Sequence, residues 1–338
     1  MINILIVDDS ELVRNILRDF FEANNNFKVI GEAVDGEDGI RKILSLNPDL
    51  VTMDIQMPKK NGLEVIEEVM KKVSVPIVVI TSMDTAKTAY EASLKGALEF
   101  YSKDIFTSSM TESKRQEIYE TLIRISGVKA QKIKPEFERN ELAHVEKREI
   151  AAIVIASSTG GPKALSRFFS LLPAGFSRPI VVVQHNSSGF DKSFVQWLDT
   201  FTSLKVKLAE ENETLKPGVV YVARTDKHLV FQVTEGGDCC FAYNDDEPVN
   251  NQKPAADVLF ASAARCLKRS VISVVLTGMG NDGAMGTKEI KEMGGITLAQ
   301  DEESSLIYGM PKAAKETGRV DMTLPLDEIP GKLAELTE

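Results

Sequence analysis

Long apolar runs, an excess of basic residues and C-x-x-C cysteine pairs are all missing from this sequence. Its apolar runs, such as residues 271–276, are of strand length, so we expect no membrane span. The formal net charge of -10 argues against a surface for nucleic acid or anionic lipid. The three cysteines include no C-x-x-C pair, and the start lacks a basic signal-like segment, so we expect structural cysteines and a cytoplasmic location.

The length and composition indicate two globular domains. The chain has 338 residues, of which 43% are hydrophobic and 27% charged, and domains commonly contain about 100 to 200 residues. Residues 126–149 are charged and poor in apolar side chains, so they cannot bury enough surface to order themselves. We therefore predict a first domain at residues 1–125, a linker at 126–149 and a second domain at 150–338.

The first domain alternates short β-branched runs with amphipathic stretches, which is typical of βαβ units around a parallel sheet. The predicted strands are residues 2–7, 27–33, 50–53, 77–80 and 98–101. A last helix is predicted at residues 111–125. The first domain should therefore be an α/β fold with five parallel strands.

The second domain repeats this alternation on a larger scale. The predicted strands are residues 151–155, 179–183, 206–208, 219–222, 271–276 and 296–299. Two further runs, residues 229–234 and 239–243, flank the turn sequence EGGD and predict a β-hairpin. We expect a doubly wound, mostly parallel α/β sheet with an antiparallel hairpin.

Three carboxylates follow predicted strands of the first domain. Asp8 and Asp9 come directly after the first strand, and Asp54 follows the third. Because the carboxyl ends of parallel strands lie along one edge of the sheet, we expect these side chains to meet there. Oxygen ligands of this kind suit Mg²⁺. Asp54 stands alone at its strand end and is the predicted nucleophile toward phosphorus.

Thr81 and Lys103 end the fourth and fifth predicted strands, where a hydroxyl and an ammonium would contact phosphoryl oxygens. The alternative for Asp9-Ser10 is simple helix capping. The whole set resembles the response-regulator receiver family, which implies a flavodoxin-like fold and phosphorylation of Asp54. The motifs that carry the resemblance are Asp8-Asp9-Ser10, Met53-Asp54-Ile55-Gln56-Met57-Pro58, Asn61-Gly62, Thr81 and Lys103.

Ser158 lies where a strand of the second domain meets small residues and then Pro162, a favourable residue for the first turn of a helix. This order is typical of a nucleophile elbow, in which the serine is exposed at the sheet edge. A serine and glycine loop that binds phosphate or caps a helix is the alternative. Ser157 is a rival nucleophile next to it.

A serine nucleophile needs a base, and the chain has only three histidines. His144 lies in the predicted linker and His228 precedes the hairpin, whereas His185 ends a strand on the same edge as Ser158. Asp282, in a glycine-rich loop after another strand, is the predicted carboxylate that holds the imidazole. The sequence therefore predicts a Ser-His-Asp group.

The chain resembles the chemotaxis protein-glutamate methylesterase family from end to end. The resemblance implies Ser158 as nucleophile, His185 as general base and acid, and Asp282 as its orienting partner. The backbone N–H groups of Thr159 and Met279 are the predicted oxyanion donors. The second-domain motifs are Ser158-Thr159-Gly160-Gly161, Gln184-His185, Gly189-Phe190, Pro248-Val249-Asn250, Asp257-Val258-Leu259-Phe260, residues 276–283 and Tyr308-Gly309-Met310-Pro311.

The resemblance also implies substrate, partners and regulation. The substrates would be glutamate γ-methyl esters, and glutamines, on methyl-accepting chemoreceptors, so the enzyme would be peripheral to the membrane only through its receptors. The chemotaxis histidine kinase would phosphorylate Asp54, with Mg²⁺ bound in the receiver domain. The unphosphorylated receiver would cover the hydrolase edge, and phosphorylation would relieve this inhibition. No cofactor is expected for the hydrolase domain.

Three other functions compete with this one. Gly278-x-Gly280-x-x-Gly283 follows a strand, and Asp301 follows the next, which is the pattern of a dinucleotide-binding site. A DNA-binding response regulator is disfavoured by the net acidity and by the βα pattern of the output domain. A scaffolding homologue without activity is disfavoured by the complete Ser-His-Asp set.

Overall fold

The computed structural model describes residues 1–82, 86–107, 109–127, 149–234 and 236–337. The chain divides into two compact units, Met1–Ile133 and Lys134–Glu338. The predicted linker spans this division, but its residues 128–148, including His144, lie outside the described residues, and the predicted domain boundaries remain a prediction. None of the described helices combines the length and the apolar character that crossing a membrane requires.

A five-stranded parallel sheet forms the centre of the first unit, in the order β2-β1-β3-β4-β5. This order is that of flavodoxin-like folds, as predicted. The strands Leu50–Met53 and Ile77–Thr81 are buried along their whole length, which is why they read as nearly continuous apolar runs. The strands are β1 Ile2–Val7, β2 Phe27–Ala33, β3 Leu50–Met53, β4 Ile77–Thr81 and β5 Glu99–Ser102.

Among the described residues of this unit, four helices connect the strands and a fifth follows β5, and several begin at capping side chains that the sequence supplies. Ser10 accepts from Val13 N, and Asn61 forms a capping box with Glu64. Lys103–Ile105 forms a short 3-10 turn after β5. The helices are α1 Glu11–Glu22, α2 Gly36–Leu46, α3 Gly62–Met70, α4 Ala86–Lys95 and α5 Glu112–Ser126.

The second unit contains a seven-stranded parallel sheet and a separate two-stranded antiparallel sheet. The large sheet has the order β14-β13-β12-β6-β7-β9-β8, and the hairpin pairs β10 with β11. The fold class predicted from the sequence is therefore confirmed. The strands are β6 Ala152–Ser157, β7 Ile180–Gln184, β8 Lys205–Leu208, β9 Val219–Val222, β10 His228–Val233, β11 Cys239–Asn244, β12 Val271–Val275, β13 Ile296–Gln300 and β14 Met322–Leu324.

In the described part of the second unit, six helices accompany these strands. The hairpin packs on the helix Ala256–Leu267, where the Ser262 hydroxyl accepts a hydrogen bond from Phe231 N at 3.0 Å. The helices are α6 Gly161–Ser170, α7 Asp191–Leu198, α8 Ala256–Leu267, α9 Ala284–Glu292, α10 Met310–Glu316 and α11 Ile329–Thr337.

The order of the large sheet creates a switch point at its centre. From β6 the chain continues to β7 on one side, and it later returns to place β12 on the other side of β6. Ligands of open α/β sheets bind at the carboxyl ends of strands where the winding direction reverses. The loops after β6, β7 and β12 all begin at this edge, and they carry the candidate residues.

Cys239 and Cys266 form a disulfide that the sequence did not predict, with their Cα atoms 6.3 Å apart. The bond joins the start of β11 to the last turn of α8, two segments separated by 27 residues. Only their packing in the folded chain brings them together. Cys240, the neighbour of Cys239, is a buried free thiol.

Candidate functional site

The predicted acidic residues of the first unit meet at the carboxyl edge of its sheet. Asp8 and Asp54 are buried and Asp9 is exposed, and one carboxylate oxygen from each lies within 4.8 Å of the others. Two of the three carboxylates also accept backbone hydrogen bonds, Asp8 from Ser10 N at 2.9 Å and Asp54 from Ile55 N at 2.7 Å. The strand ends thus bring together the three side chains that the sequence placed there.

Lys103 balances the two buried carboxylates. Its Nζ lies 2.8 Å from Asp54 Oδ2 and 2.8 Å from Asp8 Oδ2. Burial, together with the charge of Asp54, raises the pKa of Asp8 despite this ammonium. Burial alone would lower the pKa of Lys103, but its hydrogen bonds to Asp54 and Asp8 raise it. The pocket holds more negative than positive charge.

The acidic pocket fits a hard divalent cation. Its donors are carboxylate oxygens on short, anchored side chains, and one acid is exposed, which suits a site where Mg²⁺ keeps several waters. Thr81 is fully buried at the end of β4. The turn after β3 passes so close to Asp54 that a Cβ on Gly62 would lie 2.2 Å from the Asp54 carbonyl oxygen. A glycine is therefore required at that position.

Ser158 follows the last residue of β6 and leads into α6, as the elbow prediction requires. Its backbone N donates to Thr277 O at 3.0 Å, and its carbonyl accepts from Gly161 N at 2.7 Å. Gly160, with φ of 77°, makes the sharp turn into the helix. A Cβ on Gly278 would lie 2.8 Å from Ser158 Cβ, so the loop after β12 packs directly against this serine.

Ser157, the rival serine, is fully buried. Its hydroxyl donates to Gln184 Oε1 at 2.7 Å, and Gln184 Nε2 donates to the carbonyls of Ser158 and His185 at 3.1 and 2.9 Å. One amide thus fixes the backbone of both predicted catalytic positions. Ser157 supports this network from beneath, whereas Ser158 is only half-buried.

His185 and Asp282 form a close pair. His185 follows β7, and its backbone N donates to Ser157 O at 3.0 Å, which places it beside the elbow. Its Nε2 lies 2.8 Å from Asp282 Oδ2, while its Nδ1 is buried and has no hydrogen-bond partner among the described residues. Since an ionised carboxylate only accepts, we assign the proton to Nε2, which leaves a lone pair on Nδ1.

Asp282 is surrounded by donors. Besides His185, its oxygens accept from the backbone N of Ala256, Asp257 and Gly283 at 2.6, 2.9 and 3.1 Å. Ala256 and Asp257 open α8, so Asp282 caps a helix N-terminus. Burial by itself would raise the pKa of Asp282, but the hydrogen bond from His185 and these backbone donors lower it. The carboxylate is held in its charged form.

The two predicted oxyanion donors lie in the loops on either side of this edge. Thr159 directly follows Ser158, and Met279 follows Gly278, which contacts Ser158. Among the described residues, no hydrogen bond uses the backbone N–H of Thr159 or of Met279. Gly278 itself is fixed, because its carbonyl accepts from Gly309 N and Met310 N at 3.1 and 2.9 Å.

Two sequence alternatives lose support at this edge. His228 is fully buried, with Nδ1 accepting from Ala255 N at 3.1 Å and Nε2 lying 3.1 Å from Glu247 O, so both ring nitrogens serve structure. In the proposed dinucleotide loop, the N–H of Gly283 bonds to Asp282. Asp301 accepts from Ser304 N at 2.9 Å rather than standing free for a ribose.

Several residues with clear contacts to the site were given no role by the sequence. Gln184 anchors the elbow, and Asn250 and Asp257 contact or neighbour Asp282. All three lie in motifs of the family resemblance, which was the only signal available for them. Their contacts depend on segments far apart in the chain, so the sequence could not assign a partner to any of them.

The chain is similar to known proteins over both units. The model of a CheB methylesterase family matches residues 153–333, and a response regulator receiver domain model matches residues 4–114. Proteins named protein-glutamate methylesterase/protein-glutamine glutaminase are similar over nearly the whole length. The one from Pyrococcus abyssi is 38% identical over 100% of this chain and 94% of its own, and the one from Thermotoga maritima is 38% identical over 99% and 98%.

A solved structure supports the same relationship for the second unit. The crystal structure of the Thermotoga maritima CheB methylesterase catalytic domain is 43% identical and matches with a TM-score of 0.54. The matched region covers 56% of this chain and 100% of the solved catalytic domain. The resemblance inferred from sequence motifs is thereby confirmed.

Proposed function

Because the chain belongs to the CheB methylesterase family, we propose that it hydrolyses glutamate γ-methyl esters, and deamidates glutamines, on methyl-accepting chemoreceptors by a Ser-His-Asp mechanism. The observation that carries the mechanism is the His185–Asp282 pair beside the Ser158 elbow, with the other imidazole nitrogen left without a partner among the described residues. The receptors and the adaptation of chemotaxis are the substrate and role that the family implies. A cytoplasmic location is proposed with them.

The reaction proceeds in two half-reactions. The Ser158 hydroxyl attacks the ester carbonyl while its proton passes to His185 Nδ1, and Asp282 stabilises the resulting imidazolium. The N–H groups of Thr159 and Met279 stabilise the oxyanion. His185 then protonates the leaving methoxide, and methanol departs. Water, deprotonated by His185, attacks the acyl-enzyme; the bond to Ser158 breaks, His185 returns the proton to the Ser158 oxygen, and a free glutamate is released. With glutamine as substrate, ammonia leaves in place of methanol.

The first unit supplies regulation. The Asp54 carboxylate attacks the phosphoryl group of a chemotaxis histidine kinase, so that the phosphorus bond to the kinase breaks as the bond to Asp54 forms. Asp8, Asp9 and Asp54 would hold Mg²⁺, which neutralises phosphoryl oxygens. Lys103 and Thr81 would contact those oxygens, the ammonium exchanging its carboxylate partners for the phosphoryl group. The unphosphorylated receiver restrains the hydrolase.

Methanol release from a methylated receptor tests this function. Replacing Ser158 with alanine removes the nucleophile, so Ser158→Ala should release methanol at least about a thousandfold more slowly than the wild type. Ser157→Ala is the matched control: it deletes the same hydroxyl one residue earlier, and it should retain most of the activity because Gln184 Nε2 can still donate to the carbonyls of Ser158 and His185.

Methanol release by Ser158→Ala at the wild-type rate would overturn the mechanism. Loss of activity in Ser157→Ala with retention in Ser158→Ala would reverse the assignment of the two serines. Circular dichroism of both variants distinguishes loss of chemistry from loss of fold.

A further inference from the structure

A tight turn brings Asn250 against two buried carboxylates. Val249 and Gln252 exchange both backbone hydrogen bonds, at 3.1 and 2.9 Å, and Asn250 and Asn251 between them have φ of 54° and 60°. Asparagine tolerates this left-handed conformation. The Asn250 amide nitrogen donates to Asp257 Oδ2 at 2.8 Å and to Asp282 Oδ1 at 3.3 Å.

The two carboxylates are close because Asp282 caps α8 and Asp257 caps α9. Asp282, just before α9, accepts from the first N–H groups of α8. Asp257, in the first turn of α8, accepts from Gly286 N in the first turn of α9 at 2.7 Å. This reciprocal capping gives partners to the first N–H groups of both helices. It also places two buried acids beside each other, Asp257 at 8% and Asp282 at 2% exposure.

Like charges in a buried site oppose the ionisation of both groups. Burial and the charge of Asp282 raise the pKa of Asp257, whereas the pKa of Asp282 is lowered. The charged or titratable side chains that face Asp282 are His185, after β7, and Asp257, on α8. Within the described parts of the chain, Asn250 is the one side chain that donates to both carboxylates.

We propose that Asn250 is a positioning residue, which holds Asp282 charged and aimed at His185 by bridging it to Asp257. Its amide has one N–H for each carboxylate and no proton to lose at ordinary pH. The turn presents it from outside the helix pair, so it contributes no backbone to either cap. The inference rests on the proposed triad and assigns this turn a part in it.

The test is the pH dependence of labelling by a fluorophosphonate, which reacts with a serine activated by its base. Asn250→Asp replaces the amide by a third carboxylate, so the His185–Asp282 pair should bind its proton more tightly. The acid limb of the labelling profile should move to higher pH by about one unit. Asn251→Asp adds the same charge in the same turn conformation, without contact to either acid, and should leave the limb in place.

A charge-swapped variant separates donation by the amide from the number of charges in the cluster. Asn250→Asp combined with Asp257→Asn keeps two carboxylates, as in the wild type, and the amide oxygen that the swap places at position 257 still accepts from Gly286 N. Asp282 then faces a carboxylate where the Asn250 amide nitrogen lay 3.3 Å from its Oδ1, so the acid limb of the swapped variant should stay at the higher pH of Asn250→Asp. A limb that returns to the wild-type pH in the swap, that moves equally in Asn251→Asp, or that does not move in Asn250→Asp overturns the inference.

Failure of the triad itself gives a different result. Undiminished labelling of Ser158→Ala would show that the probe reacts elsewhere, and it would overturn the proposed function whatever the Asn250 variants do. Loss of labelling in Ser158→Ala together with an unmoved limb in Asn250→Asp overturns only the role of Asn250.

Discussion

Two adjacent serines show how strongly a residue's environment decides its chemistry. Ser157 is the last residue of β6 and Ser158 begins the loop after it, and the first is fully buried beneath the elbow whereas the second is half-buried at the edge. The Gln184 amide bonds to both, accepting from the Ser157 hydroxyl and donating to the Ser158 carbonyl, and it also donates to the His185 carbonyl. The position of the proposed nucleophile, Ser158, therefore depends on the side-chain amide of Gln184.

Gly161→Ala tests this dependence. A Cβ at position 161 would lie 2.0 Å from Gln184 Oε1, so the amide must move and release the carbonyls of Ser158 and His185. We expect turnover to fall by about 10- to 100-fold. Gly331→Ala is the control, because its Cβ would meet nothing within 4 Å. Wild-type turnover in Gly161→Ala would show that Gln184 is not needed at that position.

Asp8 gives a prediction about stability. Its pKa is raised by burial and by Asp54, so the folded state binds this proton more readily than the unfolded chain, and stability falls as pH rises through the folded pKa. At neutral pH without Mg²⁺, Asp8→Asn should raise the free energy of opening of β1 by about 1 kcal/mol, measured by hydrogen exchange. Added Mg²⁺ should protect the wild type more than the variant.

Asp19→Asn removes the same charge from an exposed position on α1 and should leave that protection unchanged. Lower protection in Asp8→Asn than in the wild type would mean that the bond to Lys103 outweighs the burial of Asp8.

At the scale of elements, strand pattern and capping residues explain most boundaries. The buried β-branched runs became parallel strands within one or two residues of prediction, and Asn61 begins α3 as a capping residue should. The edge strand β14 was missed because it has three residues, of which only Met322 is buried. The disulfide was missed because its cysteines lie on different elements, β11 and α8.

The disulfide should be measurable in the purified, unreduced protein. Unfolded without reductant, the wild type should titrate one thiol, Cys240, of its three cysteines. Reductant should lower the free energy of unfolding of the second unit by about 2 to 4 kcal/mol. The fluorescence of the single tryptophan, Trp197, measures this unfolding. Cys266→Ser should not respond to reductant. Three titratable thiols in the unreduced wild type would contradict the bond.

At the scale of the whole molecule, a response regulator receiver unit and a methylesterase unit share one chain. Each has its own core and its own residue cluster at a carboxyl edge. The proposed function requires the first cluster to control the second. That coupling is a property of the complete chain rather than of either unit alone.

The coupling is testable with a small phosphodonor. Acetyl phosphate with Mg²⁺ should raise methanol release by the wild type about fivefold or more, the usual range of energetic coupling between sites. Asp54→Asn should show the same rate with and without the donor, and a chelator should remove the stimulation of the wild type. Asp19→Asn controls for the lost charge. Stimulation of Asp54→Asn equal to that of the wild type would exclude Asp54 as the acceptor.

The sequence by itself determined the α/β class, the two units and the strand ends at which the reactive side chains lie. Strand periodicity and capping act over a few residues, so a linear pattern records them. The tertiary structure decided which of these side chains meet: the His185–Asp282 bond, the Gln184 network and the bridge from Asn250 join loops from different strands. Such contacts depend on the order in which the strands pack and on the capping of one helix by another, and no local pattern contains that information.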